Sequence, residues 1–206
     1  MIDYMNENYR RHIITIEDPI EFNFQNKSCL VNQRELGSHT PSFARAMKSA
    51  LREDPDIIMV GEMRDPETIQ AALTLAETGH LVLSTLHTND TVQSIDRIVD
   101  SFPPAQQNQI RAQLSMSLTA VISQILLPKK DGKGRVAARE ILVNTDAVRS
   151  LIQQGVTHQL YSIIELSSQD GMVLMDKCLE DLYAKKIITK EVFSSRIRDK
   201  DLISGL

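Results

Sequence analysis

The run Ile57-Ile58-Met59-Val60 is short, wholly apolar and followed at once by Gly61-Glu62. An uninterrupted apolar run of this length suits a strand buried on both faces of a parallel sheet. An acid just past its end would stand at the carboxyl edge, where open α/β sheets bind their ligands. A carboxylate there can polarise an attacking water or help to hold Mg²⁺ beside a phosphate chain. The plainer alternative for Glu62 is an acid that caps the next turn. Phosphate-handling sites of this kind usually carry Asp before the Glu, and here that place is taken by Gly61.

A second acidic group closes another apolar run, in Glu17-Asp18-Pro19-Ile20-Glu21. Three carboxylates so close together repel one another unless a cation or hydrogen-bond donors meet them. Two acidic strand ends in one sheet would suit a shared Mg²⁺-phosphate site, with Glu17, Asp18 and Glu21 as metal ligands; the alternative is a solvated acidic turn. His80 and His87 bracket the segment Leu81 to Leu86. His87 is expected at the carboxyl edge near Glu62, where an imidazole can meet a γ-phosphate or an active-site carboxylate. His80 opens the strand and reads more simply as structural. Neither histidine belongs to an H-x-x-x-H or H-E-x-x-H spacing that would bind a transition metal. The pattern G-x-x-x-x-G-K-[ST], which cradles phosphates on backbone N–H groups, does not occur in the 206 residues; Gly132-Lys133 is followed by Gly134 and lacks the first glycine.

The elements that must carry these residues follow from periodicity and punctuation. A helix tail is expected at Ile2–Glu7, a strand at His12–Ile16 and a short strand near Cys29–Val31. Thr40-Pro41 would open a helix with a capping hydroxyl and a first-turn proline. Phe43, Ala46, Met47, Ala50 and Leu51 would form its apolar face, and Asp54-Pro55 its end. Asp65-Pro66 and Gly79 delimit the next helix. Leu81-Val82-Leu83 is the next strand, and Asp90 caps a helix running through Val99. After Phe102-Pro103-Pro104 a helix covers 105–119. Val121–Leu127 and Arg135–Val143 flank the turn sequence Lys130-Asp131-Gly132-Lys133-Gly134, a hairpin signature. From Asn144 the pattern is helical, with Thr145, Thr157 and Ser168 or Asp170 as caps and an amphipathic helix through Leu174, Met175, Cys178, Leu179 and Leu182. Strand–helix alternation followed by a hairpin and then helices predicts an α/β domain over 1–143 and a small all-helical domain over 144–206.

Composition removes several classes. A net charge of −4, no Trp and 4% aromatics argue against nucleic acid as the main partner. Two cysteines far apart, Cys29 and Cys178, exclude a four-cysteine zinc element and a disulfide framework and read as free thiols. No apolar run approaches the ~20 residues that span a bilayer, and the polar opening Met1–Arg11 has no secretory h-region. A cytoplasmic location is the resulting expectation.

Three longer stretches are more specific. Ile-Thr-Ile-Glu-Asp-Pro-Ile-Glu-Phe, at Ile14–Phe22, resembles the Asp box of the type II/type IV secretion ATPase superfamily. Leu51-Arg52-Glu53-Asp54-Pro55-Asp56 through Val60-Gly61-Glu62-Met63-Arg64-Asp65 is similar to its atypical Walker B, and Glu77-Thr78-Gly79-His80 through Thr85-Leu86-His87-Thr88 to its His box. The segment Gly134–Leu142 and the stretch Ala147-Val148-Arg149-Ser150-Leu151-Ile152 resemble the pilus-retraction, PilT-type branch. Val148 and Ser150 depart from that branch's motif.

The resemblance implies a RecA-like P-loop ATPase core, here lacking its first strand and P-loop, that binds ATP and Mg²⁺. It implies Glu62 as the catalytic glutamate and Glu17, Asp18 and Glu21 as the acidic site around Mg²⁺, with Glu21 and His87 also serving catalysis. His80 and Arg97 would contact nucleotide, Arg97 alternatively an adjacent subunit. It further implies a homo-hexameric ring, a platform protein at the inner-membrane base of a type IV pilus as partner, and peripheral membrane association through that partner. The chain would then be the C-terminal part of a longer protein. Extension or secretion ATPases of the same superfamily are the alternative, as is a non-catalytic assembly subunit. Arg149 is expected to point away from its helix's apolar face, formed by Ala147, Val148, Leu151 and Ile152. With no phosphate cradle among its residues, the purified 206-residue chain is predicted to hydrolyse ATP negligibly. Phosphate-release assays check this, and turnover abolished by Glu62→Gln would overturn it.

Overall fold

The computed structural model describes residues 1–200, and their contacts divide into two compact units, Met1–Leu86 and His87 onward. The first unit is built on a parallel sheet. Its strands are β1 (His12–Glu17), β2 (Leu30–Glu35), β3 (Ile57–Val60) and β4 (Leu81–Ser84), in the spatial order β2-β1-β3-β4. Helices α1 (Ile2–Asn8), α2 (Phe43–Ala50) and α3 (Pro66–Glu77) cover it. The strand period of two divides the side chains between layers. Ile14, Ile16, Ile58 and Val60 pack with Ala46, Met47 and Ala50 of α2 and with Ala72 and Leu75 of α3. Ile13 and Ile57 face the other way and pack with Ile2, Cys29 and Val31. Both faces are thus buried, which is why the central strands read as unbroken apolar runs.

Boundaries follow local chemistry. Asp65 accepts from the Thr68 N–H at 2.8 Å and caps α3, with Pro66 in its first turn. Gly79, at φ +97°, turns the chain out of that helix into β4. Three expectations need correction. The short strand near Cys29–Val31 is a six-residue strand, β2, whose polar sequence is held by its ladder with β1, from His12↔Leu30 to Glu17↔Glu35. The cap of α2 is Ser42, which accepts from Arg45 N–H, while the Thr40 hydroxyl donates to Ser42 O instead. Finally, α2 stops at Ala50, before Asp54-Pro55, and Leu51 is exposed beyond its last turn.

The second unit contains α4 (Thr91–Asp100), α5 (Pro104–Ser117), the antiparallel hairpin β5 (Ala120–Pro128) and β6 (Arg135–Val143), and helices α6 (Asp146–Gln154), α7 (Leu160–Leu166), α8 (Met175–Ala184) and α9 (Lys190–Arg196). The sequence places an organisational boundary at 143/144. By contacts the compact units divide after Leu86, and within the second the hairpin shares a core with the helices that follow it. Leu127 and Ala138 pack with Met175, Leu179, Ile188 and Phe193. Thr145 caps α6 as expected, and Thr189 caps α9. Thr157 and Ser168 open single 3₁₀ turns without side-chain caps. On α6, Val148 and Ile152 are fully buried, but Ala147 is exposed. Arg149 is not free: its Nε donates to Ser115 O at 3.3 Å and it pairs with Asp146 at 2.7 Å.

One carboxylate organises this unit. Glu140, on β6, is fully buried and accepts from Thr91 N–H at 2.9 Å, Thr91 Oγ1 at 2.8 Å, Met175 N–H at 3.2 Å and the Arg198 guanidinium at 2.5 Å. Thr91 and Met175 are the first residues of α4 and α8, so a single anion serves two helix N-termini, where negative charge is favoured. Arg198 also lies 4.5 Å from the Tyr161 ring centroid. Burial first, and then the Asp90 carboxylate, pushes the Tyr161 phenol up to about 12, so it stays protonated. Removing a buried anion from paired partners typically costs ~3–5 kcal/mol. Glu140→Ala is predicted to lower unfolding free energy by about that much, measured by urea denaturation. A variant as stable as wild type would show that the four donors find other partners.

Candidate functional site

The register of the parallel ladder fixes the site. Ile16 is level with Val60, and Val60 with Ser84, so the chains leave β1, β3 and β4 side by side at one edge. Glu17 closes β1, Gly61-Glu62 follow β3, and Thr85 follows β4. The Gly61–Met63 turn is tied to both neighbouring strands. Gly61 N–H donates to Ile16 O at 2.7 Å, Thr85 Oγ1 donates to Gly61 O at 2.5 Å, and Met63 N–H donates to Thr85 O at 3.2 Å. A Cβ at Gly61 would stand 3.2 Å from Ile16 O. The residue where an Asp was anticipated is therefore one where the backbone approach excludes any side chain without a shift.

Glu62 is held inside this turn. Its side chain is only 13% exposed, and its Oε2 accepts from Arg64 Nε at 2.6 Å; the Arg64 side chain is 69% exposed. Glu17 is buried, at 6% exposure, and its Oε1 accepts from Thr15 Oγ1 at 2.5 Å and Gln33 Nε2 at 2.9 Å. The fold explains this pocket. Thr15 and Glu17 lie two apart on one face of β1, and Gln33 is the register partner of Thr15 on β2. The repulsion inferred for the acidic run is relieved by these donors and by exposure, since Asp18 and Glu21 lie on the open surface beyond β1.

Glu17 turns to its donors inside the sheet while Asp18 and Glu21 stay outside, and no group of three or more His, Cys, Asp or Glu side chains is gathered for a metal ion among the described residues. A magnesium ion fits this edge only as one carried by phosphates with one or two carboxylates, the usual way Mg²⁺ is bound. His80 immediately precedes β4, at the edge opposite Glu62. Four strand residues at ~3.3 Å each separate the two edges. Its Nδ1 lies 3.0 Å from Leu75 O and 3.0 Å from Thr78 Oγ1, so it ties the end of α3 to the strand. His87 is exposed and is the first residue of the second unit; Arg97 is exposed on α4 of that unit.

Sequence reasoning passed over Thr15, Gln33, Arg64 and Thr85. Only Thr15 carried a usable sign, its two-residue spacing from Glu17. Gln33 required the β1–β2 register, and Thr85 and Arg64 required the geometry of the turn. An alanine methyl at Gly61 must displace the end of β1, and overpacking of this kind costs about 1–3 kcal/mol. Gly61→Ala is accordingly predicted to lower the urea midpoint. An unchanged midpoint would show that the turn moves freely.

Comparison with known proteins places this geometry among relatives. The family model described as type II/IV secretion system protein matches residues 1–194. The chain is 53% identical over 204 residues to a twitching motility protein of Neisseria gonorrhoeae, covering 99% of this chain and 54% of that one. It is 54% identical over 191 residues to the type IV pilus retractation ATPase PilT of Pseudomonas aeruginosa, covering 93% of this chain and 55% of that protein. Among solved structures it matches a pilus retraction motor PilT with bound ADP at a TM-score of 0.91 and 49% identity, over 100% of this chain and 58% of that one. The chain spans about half the length of the curated relatives it matches.

Proposed function

Because the chain belongs to the type II/IV secretion system protein family, we propose that it is the portion carrying the catalytic glutamate of a RecA-like ATPase that drives type IV pilus retraction. The observation that carries the reading is Glu62, clamped at the carboxyl edge of the parallel sheet in a turn tied to the strands on both sides. The identity to retraction proteins over nearly the whole chain, and the match to a retraction motor with bound ADP, support the choice of reaction and nucleotide.

In this reading ATP lies across the edge formed by the ends of β1, β3 and β4. Its phosphates are cradled by a loop of G-x-x-x-x-G-K-[ST] type, supplied by a segment outside these residues. The Glu62 carboxylate accepts a hydrogen bond from the attacking water and takes its proton as the water oxygen bonds to the γ-phosphorus and the bond to the ADP oxygen breaks. A Mg²⁺ ion bound with the phosphates would offset their charge. Glu17, Asp18 and Glu21 supply the acidic surroundings of that ion, Asp18 and Glu21 from the exposed turn. His87 reads the γ-phosphate, and Arg97 meets nucleotide or a neighbouring subunit. His80, at the far edge, acts through the end of α3. Assembly as a homo-hexamer on a platform protein at the cytoplasmic face of the inner membrane completes the proposal. No helix among the described residues is long and apolar enough to cross a membrane, and the proposal assigns attachment there to the partner.

The test is Glu62→Gln in a full-length protein joining this chain to a phosphate-binding loop. Losing a group that accepts a proton in the transition state costs typically ~10²–10⁴ in rate. Turnover is predicted to fall by roughly that factor while the dissociation constant for ATP stays close to wild type. Collapsed nucleotide affinity with near-normal turnover would remove Glu62 from this role.

A further inference from the structure

The side-chain amide of Gln33, on β2, is fully engaged at the acidic end of β1. Its Nε2 donates to Glu17 Oε1 and to Phe22 O, each at 2.9 Å, and its Oε1 accepts from Phe24 N–H at 2.7 Å. An amide nitrogen has two hydrogens to give, so both donors are used. One side chain thereby holds a buried carboxyl inside the sheet and, through two backbone groups, the segment that leaves it. That segment carries Asp18 and Glu21, both exposed. A further tether comes from Glu35, whose Oε2 accepts from Ile20 N–H at 3.1 Å. Gln33 and Glu35 lie two apart on β2 and so share a face. Bonds at residues 20, 22 and 24 therefore fasten the segment to that face on both sides of Glu21. The ladder from His12↔Leu30 to Glu17↔Glu35 fixes where the face stands relative to Glu17. Through Gln33 the register of the sheet is passed on to the loop.

We propose that Gln33 is a positioning residue for the reaction: its amide sets Glu17 and the segment bearing Asp18 and Glu21 in one arrangement, so that the three acids act together on the phosphate-bound Mg²⁺. The proposal rests on the reading of these acids as the surroundings of that ion. Gln33 touches neither nucleotide nor ion in this scheme. Thr15 donates to the same Glu17 oxygen, but from within β1, so it orients the carboxyl without gripping the segment.

The experiment uses the full-length protein that joins this chain to a phosphate-binding loop. Gln33→Met keeps the length of the side chain and removes all three bonds; Gln33→Asn keeps the amide one carbon short. Both are compared with a triple variant, Glu17→Gln with Asp18→Asn and Glu21→Gln. Amide exchange at Phe24 and the melting temperature report the tether. The Mg²⁺ concentration that gives half-maximal ADP binding reports the acids without turnover, and kcat reports the reaction. Gln33→Met is expected to quicken exchange at Phe24 and to raise the half-maximal Mg²⁺ concentration several-fold. It should also lower kcat roughly tenfold to a hundredfold, since a misplacement of about 1 Å at a reacting site can cost around 10² in rate. Gln33→Asn should show the same changes in smaller measure, and it carries the test if Gln33→Met lowers the melting temperature. Added to the triple variant, Gln33→Met should raise the Mg²⁺ requirement no further, because the groups it positions are gone. Quickened exchange at Phe24 with a wild-type Mg²⁺ requirement and kcat overturns the positioning role, while a raised requirement in the triple variant leaves the acidic reading standing. A further rise when Gln33→Met joins the triple variant shows that Gln33 acts elsewhere and also overturns it. A wild-type requirement in the triple variant removes the acidic reading, and the positioning role falls with it.

Discussion

The candidate site depends on one constraint, the in-step parallel pairing of β1, β3 and β4. Ile13–Ile16 of β1 run level with all of β3, and β3 with all of β4, so the three strands finish within one residue of one another. Whatever follows each one, Glu17, Gly61-Glu62 or Thr85, is delivered to the same edge. The buried isoleucines and valines hold that register, because a one-residue slip would turn every core side chain of a strand to the opposite face. Functional geometry here is therefore a by-product of hydrophobic packing some residues away. The polar contacts at the edge, from Ile16 O to Gly61 and from Gly61 to Thr85, refine a placement that the core has already made.

The second unit uses the opposite economy. Its hairpin and helices come from distant parts of the chain, and a buried carboxylate joins them. Glu140 reaches the start of α4, the start of α8 and the segment after α9. α8 begins without a side-chain cap of its own, its N-cap being Leu174. The acceptor its first N–H needs is supplied from β6. Such an arrangement tolerates an apolar residue at the local cap position because the polar requirement is met in three dimensions.

How much of this was legible depended on whether the information was local. Apolar runs gave β1, β3 and β4, and Asp65-Pro66, Asp90, Thr145 and Gly79 marked helix ends, because each of these signals acts within four residues. Polar β2 was seen only in part, since Asn32, Gln33, Arg34 and Glu35 become a strand by pairing with β1. Glu62 was legible by its place after an apolar run. The donors on Glu17 were not, apart from Thr15, because Gln33 is brought to it by register. The orientation of the acidic run was hidden for the same reason: Glu17 turns inward to donors on β1 and β2, while Asp18 and Glu21 are exposed beyond the strand. Arg149 was expected to be free from helical phase alone, and the carbonyl of Ser115 that receives it lies on another helix.

The shared core of hairpin and helices bears on how the protein can be taken apart. Leu127 and Ala138 sit among Met175, Leu179, Ile188 and Phe193, and Ile141 exchanges backbone hydrogen bonds with Val173. A scissor cut at residue 144, which sequence pattern alone would recommend, strips the helical remainder of one wall of its interior. It also orphans the N–H of Met175 and the Arg198 guanidinium. Dissection or segment exchange between relatives must carry β5 and β6 along with α8 and α9, as one heritable block, or the transplanted piece arrives with an open seam.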